Sequence, residues 1–350
     1  MTVTNTIITL EDLPSPPPGK SGWPWTEQTD PLPMRMSNDS DWPQITIVTP
    51  SYNQGQFIEE TIRSVLLQGY PNLEYIIIDG GSTDGSIEII KKYENYLAYW
   101  VSERDRGQPH AINKGFEKAT GNIVTFLNSD DLYLPNTFSF LANFFVNNPE
   151  YDFICGQTEF IDTHSQKIKG FEELFSVKLN YATMTETCHI AQQSTFFKRK
   201  VFEIIGYLNE SLHYCFDYDF WLRSFLSGLN FASTTQILSQ FRLHDLSKTN
   251  TAYKEGKFDQ DFIRIYQNNL SSTELSNFPK KGLLRGLGIA SSLLFIHLES
   301  TKSHSEARTA LLKVIQQTPE VLLSRSIWPT LLVSLAPTPV RKAWRYIRKK

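Results

Sequence analysis

The sequence predicts an α/β protein, a mostly parallel sheet flanked by helices with a helical C-terminal extension. Three observations carry this. From Ile45 onward apolar runs alternate with helical patterns, as in sheets wound with right-handed crossovers. Pro50, Asp79, Asp105 and Asp130 each fall just after a predicted strand, so such a sheet gathers them on the carboxyl edge where ligands bind. From about Glu255 the pattern is helical throughout.

Residues 1–44 carry eight prolines, from Pro14 to Pro43, interleaved with Trp23, Trp25 and Trp42. Proline fixes φ and removes a donor, which excludes helix and central strand. An extended arm anchored by its tryptophans is expected. The domain of residues 45–254 then follows as strand 45–49, helix 56–68, strand 74–79, helix 85–95, strand 98–102, helix 108–119, strand 123–127 and helix 136–147. Beyond Asp152 the strands become less regular, at 152–160, 194–199 and 231–242, around a helix near 217–228. Residues 255–350 form the extension, with a helix at Ala307–Gln317 stopped by Pro319.

The 350 residues carry 34 Lys and Arg against 37 Asp and Glu, a net charge of −3 that makes no general case for nucleic-acid binding. Three scattered cysteines suit a reducing cytoplasm better than a disulfide framework. The N-terminus lacks the basic start and apolar core of a signal peptide. Arg285 interrupts the apolar stretch 283–298, and Arg325, Pro329 and Pro337 interrupt 321–340, so neither reads as a bilayer span. Residues 341–350 combine six Lys and Arg with Trp344 and Tyr346. That is the composition of an anchor for anionic lipid, as well as of a solvated end.

The run Ile123–Leu127 ends in Asn128-Ser129-Asp130-Asp131. Adjacent carboxylates repel unless a cation intervenes, and Mg²⁺ takes one or two carboxylates plus substrate phosphates. Asp130 and Asp131 equally suit a helix cap ahead of Pro135. Upstream stand Thr49-Pro50-Ser51-Tyr52-Asn53, then Asp79-Gly80-Gly81-Ser82-Thr83-Asp84, then Asp105-Arg106-Gly107-Gln108. The ordered set, over roughly residues 45–250, resembles the family 2 glycosyltransferases, which have a Rossmann-like nucleotide-binding fold of the GT-A type and mostly invert the anomeric centre.

The resemblance implies a nucleotide-sugar donor, a UDP-sugar in the first instance, a glycan or lipid-linked glycan acceptor, and Mn²⁺ or Mg²⁺. It places Pro50, Tyr52, Asp79, Asn113, Lys114 and Asn128 at the nucleotide, with Tyr52 on the base and Asp79 accepting its imino N–H. Asp79 also suits a turn before Gly80-Gly81. Asp130 becomes the direct metal ligand, with Asp131 binding through water or only orienting the loop. Arg242-Leu243-His244 and Ser247-Lys248-Thr249 resemble a loop that closes over the diphosphate, which assigns His244 to the metal and Arg242 and Lys248 to phosphate. Asp217, in Phe216-Asp217-Tyr218-Asp219-Phe220-Trp221, takes the place of the general base that deprotonates the acceptor. Asp219 is its substitute, and Gln193, Asp219 and Trp221 are expected on the acceptor side. A helix cap and a first-turn charge would explain the two aspartates as well.

The chain departs from the family pattern at Ile112, Asn128 and Phe216, where relatives commonly carry Arg, Asp and Glu. A catalytically silent glycan-binding or scaffold protein therefore stays open as an alternative. A nucleotidyltransferase fits less well, because a Gly-rich cationic loop is missing after the first strand. The expected setting is the cytoplasm, with the basic segment at the inner face of the membrane.

Overall fold

The computed structural model describes residues 7–170, 179, 181–245, 247–248, 256–271 and 277–336. The chain divides into two compact units, Met1–Leu179 with His189–His244, and Asn180–Cys188 with Asp245–Lys350. The first runs β1 (Ile45–Ser51), α1 (Ile58–Leu66), β2 (Leu73–Asp79), α2 (Ser86–Lys92), β3 (Tyr99–Ser102), α3 (Gln108–Lys118), β4 (Ile123–Phe126), β5 (Leu132–Tyr133), α4 (Thr137–Asn147) and β6 (Phe153–Ile161). After α5 (Tyr181–Glu186), which belongs to the second unit, it resumes with β7 (Thr195–Lys198), α6 (Val201–Ile205), α7 (Phe216–Leu226) and β8 (Phe231–Arg242). The second unit continues as α8 (Lys257–Leu270), α9 (Asn277–Thr301), α10 (His304–Gln317) and α11 (Trp328–Leu335).

The eight strands form one sheet in the order β3-β2-β1-β4-β7-β6-β8-β5. The half β3-β2-β1-β4 is parallel, and β7 joins it antiparallel. Ile45, Ile47, Val48, Ile76, Ile77 and Ile78 are all buried, as in parallel strands covered on both faces. Register aligns Ser51 with Asp79 and Asp79 with Ser102, so three strand ends finish level. β1 runs two residues further than expected, which makes Pro50 a buried strand residue opposite Ile78 rather than part of the turn. Proline is tolerated because β4 pairs with β1 only as far as Val48, so no ladder donor is required of Pro50 on that side.

The tryptophan arm is held by Arg63, which is fully buried in α1. Its guanidinium donates to the carbonyls of Pro14, Pro24 and Trp25. Trp25 lies 5.4 Å beneath the guanidinium, and Trp23 donates its indole N–H to the Tyr133 carbonyl at 2.8 Å. Prolines leave backbone carbonyls without local partners, and one arginine satisfies three of them.

Candidate active site

At the carboxyl ends of β1–β3 the loops are joined by side chains. Asn53, at φ 52°, donates its N–H to Ser82 Oγ and accepts from Thr83 N–H. Asp84 accepts from the N–H groups of Gly55 and Ser86 and from Ser86 Oγ. Asp79 is fully buried and accepts four hydrogen bonds, from Gly81 N–H, Ser82 N–H, Ser82 Oγ and Ser102 Oγ. A carboxylate offers about four lone-pair sites. Asp79 thus shapes the loop, with Oδ2 accepting three of these bonds and Oδ1 one.

A second carboxylate at this edge is Asp105, which is half-buried. A Cβ at Gly80 would come 2.6 Å from Asp105 Oδ2 and 3.4 Å from the Tyr52 ring. Only glycine leaves room for that carboxylate beside Tyr52, whose own side chain stands 63% exposed. Asp105 is fixed by Gly107, which donates to Oδ1 at 2.8 Å from a left-handed φ of 115°.

The loop after β4 separates its two aspartates. Asp130 Oδ2 lies 3.0 Å from His244 Nε2, and the Asp130 side chain remains partly exposed. Asp131 turns inward, fully buried, and accepts from Arg242 N–H at 3.0 Å and Asn128 Nδ2 at 3.3 Å. Burial, and then the neighbouring Asp130 charge, hold the Asp131 carboxyl well above the ordinary carboxylate range. Asp131 thus orients the loop. Asn128 is flanked by Gln108, which donates to its Oδ1 at 2.7 Å, and by Gln192, 3.4 Å from its Nδ2.

Arg242 is corrected most sharply. It is fully buried, and its guanidinium donates to Asp130 O, Asp162 O, Ser165 Oγ and Glu60 Oε2. Phe57 lies 4.8 Å from the guanidinium and 4.9 Å from the His244 ring, supporting both. With four of its five donors engaged and no exposed surface, Arg242 braces the β4–β5 loop rather than offering its guanidinium to a diphosphate.

A divalent ion fits the Asp130–His244 pair. Adjacent ligands of an octahedral ion at about 2.0–2.1 Å stand about 3 Å apart, as these two atoms do. No three His, Cys, Asp or Glu side chains converge among the described residues, so substrate oxygens and water would complete such a shell.

Phe216 packs on Phe126 with ring centroids 6.1 Å apart, which brings the first turn of α7 to the end of β4. Where relatives commonly carry Glu, this chain has a hydrophobic docking point. Asp217, next in sequence, is half-buried in that first turn. Asp219 points elsewhere, because residues two apart on a helix differ by about 200°. It is 3% exposed and paired at 2.8 Å with Arg223, whose other nitrogens donate to Ile205 O and Tyr207 O. Burial raises the Asp219 pKa, against the opposing pull of Arg223.

Trp221 is a core residue, edge-on to Phe153 and Phe220, and its indole N–H has no partner among the described residues. Gln193 is likewise interior, donating to Thr158 Oγ1, whereas Gln192 donates to Phe126 O and faces Asn128. The acceptor assignments of Asp219, Trp221 and Gln193 do not hold. Both glutamines are buried in the short 3-10 turn Gln192–Ser194 ahead of β7, and their side chains leave it toward different partners.

Asn113 is buried and bridges α3 to residues 208–210, exchanging bonds with the Leu208 backbone and donating to Glu210. Both ends of its amide are engaged there. Lys114 forms an ion pair with Glu103. Lys248 is exposed and belongs to the second unit, so its phosphate role keeps only the support of the resemblance. Phe57, Glu60, Asp105, Gln108 and Gln192 complete the loop cluster. Of these, Asp105 and Gln108 stood in the motif Asp105-Arg106-Gly107-Gln108 and Gln192 in the glutamine pair, whereas Phe57 and Glu60 carried no signal in the sequence.

The family model for glycosyl transferase family 2 matches residues 46–206. An uncharacterised glycosyltransferase of Rickettsia typhi is 30% identical over 231 residues, 63% of this chain and 70% of that protein. The chain belongs to glycosyltransferase family 2. Within this family, the putative teichuronic acid biosynthesis glycosyltransferase TuaG of Bacillus subtilis is 42% identical over 98 residues, 26% of this chain and 38% of that protein. The crystal structure of S. aureus TarS 1–349 in complex with UDP-GlcNAc matches with a TM-score of 0.62 and 18% identity, covering 79% of this chain and 82% of that one. The mannosyltransferase PcManGT from Pyrobaculum calidifontis, in complex with GDP-Man and Mn²⁺, matches with a TM-score of 0.53 and 18% identity, covering 93% and 87%. At these identities the structures share the fold, which is the expected GT-A type.

Proposed function

We propose that this family 2 glycosyltransferase moves one sugar from a nucleoside-diphosphate donor, a UDP-sugar, to a hydroxyl of a glycan or lipid-linked glycan, with inversion. The observation that carries the reading is the 3.0 Å pairing of Asp130 and His244 at the end of β4. The UDP-GlcNAc and Mn²⁺ complexes of the two structural neighbours support it.

The exposed Tyr52 ring offers a flat face to the base, and Asp105 beside it an acceptor for an imino N–H. Asp130 and His244 would hold Mn²⁺ or Mg²⁺, which when bound supplies charge stabilisation to a leaving diphosphate. Asn128, held between Gln108 and Gln192, keeps its amide at the loop's rim. Asp217 takes the acceptor hydroxyl's proton during attack from the face opposite the diphosphate. Residues 341–350, which lie outside the described residues, place the enzyme at an anionic membrane surface; their composition supports this.

The test is nucleoside-diphosphate release from UDP-, GDP- and dTDP-sugars in Mn²⁺, with and without excess EDTA. Release from UDP-sugars that EDTA abolishes is the expected result. Undiminished release in EDTA would overturn the metal role, and no release from any donor would overturn the transfer reading.

A further inference from the structure

The second unit carries an apolar face that its own packing leaves uncovered. In α11 the inward residues are Thr330, Val333 and Ser334, preceded by the fully buried Ile327. The outward ones are Trp328, Leu332 and Leu335, exposed by 45%, 63% and 61%. Their i, i+4, i+7 spacing sets them along one side of the helix. A surface helix ordinarily turns charged or polar residues outward. α11 contains no charged residue.

The face extends beyond the helix. Leu323, in the turn before it, is the most exposed large hydrophobic among the described residues, at 79%. Trp328 is held by an indole N–H bond to the Leu322 carbonyl at 3.1 Å. Ile289 and Leu293 of α9 are also exposed, on the helix whose Gly288 lies against Ser326.

The charge that accompanies this face in the sequence points to its partner. From Val321 to Lys350 the sequence has seven Lys and Arg, Arg325 and six in residues 341–350, and no Asp or Glu. Such a strip repels a second copy of itself. An apolar stripe containing a tryptophan, followed by a cationic segment, matches the layering of an anionic bilayer surface. α9 is a different element: its stretch Pro279–Thr301 is long and apolar enough to cross a membrane, but 61% of its most apolar window is buried inside the protein.

We propose that Leu323, Trp328, Leu332 and Leu335 form the insertion face by which the helical unit lies in an anionic lipid surface. The proposal rests on the membrane reading of residues 341–350 and assigns the apolar half of that contact. Interfacial binding scales with buried apolar area plus attraction to anionic lipid, so removing the apolar half should weaken it measurably.

The experiment is cosedimentation of the full chain with vesicles of phosphatidylcholine alone or mixed equally with phosphatidylglycerol. Wild type should bind the mixed vesicles and not the neutral ones. Leu332→Glu/Leu335→Glu should weaken binding by at least about tenfold. Leu332→Gln/Leu335→Gln, which adds no charge, should weaken it in the same direction, and nucleotide-sugar turnover with a soluble acceptor should survive in both. Equal binding by wild type and both variants would overturn the insertion face while sparing the basic segment. A wild type that ignores anionic vesicles, or a dimer that the variants dissolve, would overturn it as well. Sugar transfer is measured separately, so its absence would count against the transfer reading alone.

Discussion

Replacing Arg242 with Met removes the guanidinium that lies between Glu60 and the β4–β5 loop. Glu60, with a side chain only 6% exposed, would keep Ser165 Oγ and lose its 3.0 Å cationic partner. The carbonyls of Asp130 and Asp162 would lose donors at 2.8 and 3.0 Å. Breaking a buried ion pair by removing one partner costs about 3–5 kcal/mol, a large share of a typical total of about 5–15 kcal/mol. Replacing both partners with apolar residues is often close to neutral, so Arg242→Met/Glu60→Met should recover much of the loss. Urea unfolding of the four proteins in a double-mutant cycle gives the coupling, expected at about 1 kcal/mol or more. If Arg242→Met unfolds like wild type while its KM for the donor rises, the guanidinium faces the diphosphate and its bracing role is wrong.

Gly80→Ala should raise the donor KM by displacing Asp105 from Tyr52, with little loss of stability, since the clash is with a side-chain carboxylate; unchanged KM would remove Asp105 from the base site. Asp219→Asn should weaken the fold by loosening Arg223 from Ile205 and Tyr207 and leave the transfer rate near wild type; a rate collapse in a stable protein would make Asp219 the base. Burial pushes the Asp259 carboxyl up to about 6 from an ordinary 3.8, so the folded chain holds that proton more tightly than the unfolded one. Its contribution to stability is then fully present below about pH 4 and lost as pH rises through about 6. Asp259→Asn should flatten that dependence when thermal unfolding is followed across the window, and a wild-type profile already flat there would contradict it.

The parallel half of the sheet was legible because four apolar runs with helical spacers can be wound in few ways, and the strand ends fell where their acids did. β5 was missed because two residues, Leu132 and Tyr133, carry no period, and they pair only through β8, about a hundred positions on. Among the site residues, position along the chain was read well and side-chain direction poorly. Arg242 and Asp79 look like ligand residues in sequence, and only the packing of Phe57, Glu60 and the Gly81–Ser82 turn shows them facing inward. Asp105 was visible in its motif, but its place beside Tyr52 depends on the absence of a side chain at Gly80. Trp221 illustrates the converse: an aromatic next to an acidic motif was expected on the acceptor side, and it packs in the Phe-rich core between α7 and β6.

Binding and turnover measured on wild type, Asp130→Ala and Asp217→Asn separate the two halves of the chemistry most directly. Mn²⁺-dependent UDP binding should be lost in Asp130→Ala and kept in Asp217→Asn, whose sugar transfer should fall about 10²- to 10⁴-fold. Wild-type Mn²⁺–UDP affinity in Asp130→Ala, together with wild-type transfer in Asp217→Asn, would contradict both assignments.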